Sequence, residues 1–142
     1  MIRDVSYISK DTKGNEYILN ASEGQIDLSN TKIIFLTNLV AKINLNDKTE
    51  INIISDFGKY NIDNYDTIFS KNVIITYLDN KIKGEYLDFS LEKNLMIISR
   101  DVIIKNNEIS IKADVIEINI ETKDVKIFMY EEDKKINIKS LK

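Results

Sequence analysis

The chain has 142 residues, 43% apolar and 30% charged, which is enough for a buried core and too apolar for a disordered segment. It contains no histidine, cysteine or proline, which excludes histidine triads, thiol nucleophiles, zinc fingers and disulfides. At a net charge of −3 with scattered basic residues it carries no nucleic-acid footprint, and no apolar run approaches the ~18 residues of a membrane span.

Taken in order, the chain alternates short strand patterns with turn signals. Residues 2–12 form a first strand pattern, with Val5 and Tyr7 on one parity and Ser6 and Ile8 on the other. Asp11-Thr12-Lys13-Gly14-Asn15 is a hairpin turn, and Glu16 to Ser22 is the return strand. Ile33 to Leu36 and Val40 to Leu45 follow, joined through Thr37-Asn38; Asn46-Asp47-Lys48 then turns the chain into Glu50 to Ser55. Thr67 to Tyr77 is a strand with a slip at Lys71-Asn72, the mark of a β-bulge. Asp79-Asn80-Lys81 precedes Ile82 to Leu87, and Lys105-Asn106-Asn107-Glu108 precedes Ile109 to Ile120. Val125 to Tyr130, a charged turn at Glu131-Glu132-Asp133-Lys134-Lys135, and a strand holding Ile136 and Ile138 close the chain. No helix, linker or domain boundary interrupts the series, so residues 1–142 are expected to form a single domain.

The stretch Ser55 to Ile75 repeats. Shifted by 29 residues it lies on Gly84 to Ile104, where Ser70-Lys71-Asn72-Val73-Ile74-Ile75 meets Ser99-Arg100-Asp101-Val102-Ile103-Ile104. A second shift of 29 reaches Ala113 to Ile120, and a backward shift of 34 reaches Ala21 to Leu28. Four units therefore start at 21, 55, 84 and 113. Each is about two strands with an Asn- or Asp-bearing turn between them, because those side chains bond the local backbone and tolerate positive φ. A single two-strand unit cannot bury its own apolar face, whereas stacked neighbours can.

The apolar stripe shared by the units is Tyr60, Ile62, Val73, Ile75, Phe89, Leu91, Val102, Ile104, Ile118 and Ile120. It reads as a closed core or as a ligand groove, and the pattern alone leaves both open. Glu131, Glu132 and Asp133 read as a solvated turn, and Asp63, Asn64 and Asp66 lack the glycine of a calcium loop, so neither a catalytic residue nor a metal site is expected. No cofactor is expected either.

Three segments carry a resemblance. Asp11 to Ala21, an acidic turn followed by Gly14, Tyr17, Leu19 and Ala21, is one. Ser55-Asp56-Phe57-Gly58-Lys59-Tyr60 is the second. The third is the pair of short turns before Val73 and Val102. Their order and spacing resemble the periplasmic lipopolysaccharide-export family, whose OstA-like domain is shared by LptA, LptC and the N-terminal part of LptD, with the LptC members nearest. The resemblance covers nearly the whole chain.

It implies an all-β fold, a twisted open β-jellyroll of antiparallel strands built from the repeated two-strand units. It further implies a binding and transfer component, not an enzyme, with lipopolysaccharide acyl chains inside and sugars in water. Under it the ten-residue stripe becomes the lipid groove. Val5 and Tyr7 mark an N-terminal edge for the inner-membrane transporter LptB-LptF-LptG, and Ile136 and Ile138 a C-terminal edge for LptA. The location implied is periplasmic, with an inner-membrane N-terminal helix, usual in LptC members, absent from this chain or removed. The alternatives are an LptA-like bridge protein, a carbohydrate-active β-solenoid with Asp63, Glu92 and Glu121 as an acidic row, and a structural adaptor with a closed core.

Overall fold

The structure is a computed structural model that describes residues 1–129 and the backbone of the strand at 134–139. It contains ten strands: β1 (Ile2–Lys10), β2 (Glu16–Ile26), β3 (Ile33–Asn44), β4 (Glu50–Asn61), β5 (Thr67–Tyr77), β6 (Asn80–Ser90), β7 (Leu95–Lys105), β8 (Ser110–Asn119), β9 (Asp124–Met129) and β10 (Lys134–Lys139). They form one antiparallel sheet in sequence order, β1 to β10, with β1 and β10 as its two edges. The expected open, all-β roll is the observed architecture.

Asx turns make the connections, as the Asn- and Asp-rich spacers required. The Asp11 carboxylate accepts the amides of Lys13 (3.0 Å) and Asn15 (2.9 Å), while Gly14 takes φ +88°. Asn61 Oδ1 accepts Asp63 N at 2.9 Å, and Asn119 Oδ1 accepts the amides of Glu121 and Thr122 at 3.0 Å. These short side chains satisfy backbone donors that the ladder leaves behind at its ends.

Four strands, β2, β3, β4 and β6, are longer than their sequence patterns. Ile33–Leu36 and Val40–Leu45 are one strand, β3, and the residue between them, Asn38, sits inside it at φ 53°. A kink interrupts the alternation without ending the ladder. The same kink recurs on every odd strand up to β7: Asp4 (φ 53°), Asn38, Lys71 and Asn72 (68° and 53°), and Arg100 and Asp101 (68° and 54°). The bulges inferred at Lys71-Asn72 and Arg100-Asp101 are present, as register shifts between Ser70 and Val73 and between Ser99 and Val102.

Opposite them, Ser22, Asp56, Glu85 and Asp114 drop out of the pairing on the even strands. The irregularities form a line across the sheet. Along it β1 to β8 bend, so the sheet closes on itself as two leaves with one inner face. Side chains reinforce the line at equivalent repeat positions. Asn38 Nδ2 donates to Ser22 Oγ (3.2 Å), and Asn72 Nδ2 to Asp56 Oδ2 (2.8 Å). Lys71 Nζ lies 5.9 Å from the Phe57 ring centroid, and 29 residues on Arg100 Cζ lies 5.2 Å from that of Tyr86. The repeat units start where β2, β4, β6 and β8 cross this line, so each unit begins at the bend and not at a strand end.

At the inner corner of the bend the leaves approach too closely for some side chains. A Cβ on Gly84 would stand 2.7 Å from Ile98 Cγ1, and one on Gly58 would stand 2.4 Å from Leu39 Cδ2. Gly84→Ala should therefore cost about 1–3 kcal/mol through overpacking, read as a lower urea midpoint at unchanged m-value. A wild-type midpoint would show that the corner has slack.

Candidate functional site

The inner faces of both leaves carry a single cluster of buried apolar side chains running from Val5 to Ile127. Nine of the ten stripe residues belong to it: Tyr60, Val73, Ile75, Phe89, Leu91, Val102, Ile104, Ile118 and Ile120. None is more than 4% exposed, and Val73, Ile75, Phe89 and Ile104 have no exposed surface. Ile62 is the exception. Its alternation with Tyr60 placed it on the inner face, but β4 ends at Asn61 and the chain turns, leaving Ile62 43% exposed. The interior also includes residues outside that stripe, among them Tyr17, Leu19, Phe69 and Ile98. The parity change at each bend hides them: buried positions on β4 run 51, 53, 55 and then 58, 60.

The described interior is closed at one side by polar pairs. Tyr17, on β2, places its hydroxyl 2.7 Å from Thr67 Oγ1 on β5. Thr67 also donates to the Tyr65 carbonyl at 3.2 Å, which leaves the Tyr17 hydroxyl as donor to Thr67. Ser9 Oγ on β1 lies 3.3 Å from the Tyr60 hydroxyl on β4. Ring contacts surround both pairs, Tyr7 to Tyr60 and Tyr17 to Phe89, each at 4.7 Å between centroids. Burial pushes the Tyr17 phenol far above its ordinary pKa, partly offset by the Thr67 hydrogen bond, and burial raises that of Tyr60 as well.

Beyond these pairs lies a cleft of about 410 Å³ between hairpin tips of the two leaves. Lys10 to Lys13 line it from the β1–β2 tip; Asp63, Asn64 and Tyr65 from the β4–β5 tip; Leu91, Glu92 and Asn94 from the β6–β7 tip. Leu91 also belongs to the interior cluster, so the cleft opens onto apolar surface. Two ion pairs cross the same side. Lys13 Nζ meets Glu121 Oε1 at 2.5 Å, and Lys123 pairs with Asp47. The Lys123 ammonium, with the Thr49 amide behind it, holds the Asp47 carboxyl at about 2.

Of the suggested acidic row, Asp63 and Glu92 both line this cleft, and Glu121 reaches its lining residues Lys13 and Asn94. Asp63 pairs with Lys32 at 2.7 Å and Glu121 with Lys13, each at its own turn. Among the described residues no group of three His, Cys, Asp or Glu could hold a metal ion. Glu131, Glu132 and Asp133, and the side chains of Ile136 and Ile138, lie outside the described residues.

The edge residues fall on β1, whose only sheet neighbour is β2. Val5 is 9% exposed and Tyr7 half-buried, both packed inward, so what β1 offers outward is its edge backbone with the exposed Ile2 and Ile8. On β10, Ile136 pairs in register with Ile127 and Ile138 with Val125.

The Tyr17 phenol makes alkaline stability a test of this geometry. Its folded pKa is raised above 10, so its contribution is complete below pH 10 and is lost as pH climbs beyond it, when the unfolded chain ionises first. Tyr17→Phe should cost about 1 kcal/mol at neutral pH and flatten the loss of stability between pH 10 and about pH 12. An unchanged alkaline slope would place the phenol in water.

A family model described as lipopolysaccharide-assembly, LptC-related, matches residues 1–129. No curated protein matches the chain. The matched segment holds β1 through β9, including the bend, the inner face and the tips, and the chain belongs to the LptC-related family of lipopolysaccharide assembly.

Proposed function

We propose that this chain is a lipopolysaccharide-binding and transfer component that takes lipid from the inner-membrane transporter LptB-LptF-LptG and passes it to LptA. The observation that carries the reading is a continuous apolar inner face on an open-edged sheet, reaching the cleft through Leu91. Tyr60, Val73, Ile75, Phe89, Leu91, Val102, Ile104, Ile118 and Ile120 would line the acyl chains, with Ile62 at the margin. Binding of this kind is passive. Each buried CH₂ contributes about 0.8 kcal/mol, and a groove at equilibrium gives no direction. Direction must come from the transporter.

The edges supply the junctions. An edge strand exposes unpaired backbone N–H and C=O groups and recruits another strand. On this reading β1, around Val5 and Tyr7, meets the transporter, and β10, with Ile136 and Ile138, meets LptA. Residues 1–142 then act as one periplasmic domain held at the inner membrane.

A photo-crosslinker at Phe89, which has no exposed surface, should capture lipopolysaccharide, while one at Ser90, on the opposite face, should not. Equal capture at both positions would refute the groove. Deleting residues 136–142 should leave a folded, lipid-binding protein that no longer binds LptA. Undiminished LptA binding would move the junction elsewhere.

A further inference from the structure

The inner face is apolar, yet four of its polar side chains are paired directly across it. Tyr17 with Thr67 and Ser9 with Tyr60 join strands that share no ladder, because β1 and β2 are separated from β4 and β5 by other strands of the sheet. The two ion pairs, Lys13–Glu121 and Lys123–Asp47, likewise join tips 108 and 76 residues apart in sequence. The two leaves are continuous at the bend, and at the opposite side these side-chain pairs hold them. Among the described residues no sheet ladder joins the two leaves at that side. Each hydroxyl and charge released can be satisfied by water.

The parts are also arranged for movement of one hairpin. The β1–β2 hairpin supplies Ser9, Lys13 and Tyr17, and it lies at the sheet edge, where its one ladder to the other described strands is with β3 and Asn46 of the β3–β4 turn bonds its tip. Its strands cross the bend at Asp4 and Ser22, where pairing is already interrupted. The cleft of about 410 Å³ lies beside its tip. Ile75 and Phe89 have no exposed surface, so an acyl chain beside them needs room that their present packing does not leave.

The geometry points to a gate: the β1–β2 hairpin swings about the bend, flexing its ladder with β3, to admit an acyl chain, and the Tyr17–Thr67, Ser9–Tyr60 and Lys13–Glu121 pairs latch it shut. This inference rests on the lipid-binding reading above. It adds where the lipid enters and what must break first.

The chain has no cysteine, so a staple can be placed without side reactions. In the full chain carrying Lys13→Cys and Glu121→Cys, a short bismaleimide should join the two tips. The stapled protein should take up fluorescent lipopolysaccharide at least about tenfold more slowly than the same variant capped with N-ethylmaleimide. Equal uptake by the two would overturn the gate and leave lipid binding intact. If neither form nor the wild type takes up lipid, the lipid reading itself fails, and lipid-free hydrogen exchange decides the gate. Tyr17→Phe with Tyr60→Phe keeps both rings and removes both phenol hydroxyls. It should speed exchange of β1 and β2 amides by about tenfold or more while β6 and β7 keep their rates. Acceleration spread evenly over the sheet, or none, would overturn the gate.

Discussion

A sheet of ten sequential strands would be a twisted ribbon with two wet faces if nothing bent it. The bend is produced by residues with positive φ at one level of β1, β3, β5 and β7, opposite residues dropped from pairing on the even strands. Non-glycine residues rarely adopt that conformation, and Asn and Asp adopt it most readily. Asp4, Asn38, Asn72 and Asp101 stand at these points. Cross-strand side chains, Asn38 to Ser22 and Asn72 to Asp56, hold the conformation in place. The inner face, the cleft and the position of every tip follow from this line.

The bend separates two kinds of cohesion. Along the sheet, backbone ladders join each strand to its neighbours and are expensive to break. Between the leaves, apolar contact and a few side-chain pairs hold the interior closed. Apolar contact is non-directional, so hydrocarbon can replace side-chain neighbours at little cost, whereas the ladders remain intact. A roll built in this way can exchange what lies between its leaves without unfolding. That property suits a component of lipopolysaccharide assembly, the family to which the chain belongs.

Much of this was legible in the residues. The 29-residue repeat is real in space: Lys71 over Phe57 recurs as Arg100 over Tyr86. The two bulges and the Asn-led turns stand where the pattern put them. The lengths of β2, β3, β4 and β6 were not legible. A kink that reverses parity looks in sequence like a turn, so β3 was divided at Thr37-Asn38. The same reversal concealed Phe69 and Ile98 as inner-face residues, and a turn one residue past β4 put Ile62 at the surface. The hydroxyl pairs were beyond reach of the sequence, since Tyr17 and Thr67 lie 50 residues apart and are brought together only by the bend. Tyrosines in strand patterns signalled amphipathic positions and nothing about partners.

The central claim is that acyl chains lodge between the leaves. The isoleucine-rich chain supplies its own probes. Ile53, Ile75, Ile82, Ile98, Ile104 and Ile116 face inward with at most 1% exposure, whereas Ile8 and Ile54 face outward at 66% and 44%. Selective labelling of the isoleucine δ1 methyl groups, followed by NMR during titration with lipopolysaccharide, reports on both sets at once. The account predicts that the inner methyl signals shift or broaden while those of Ile8 and Ile54 stay in place. Changes confined to Ile8 and Ile54, with the inner methyls undisturbed, would contradict it.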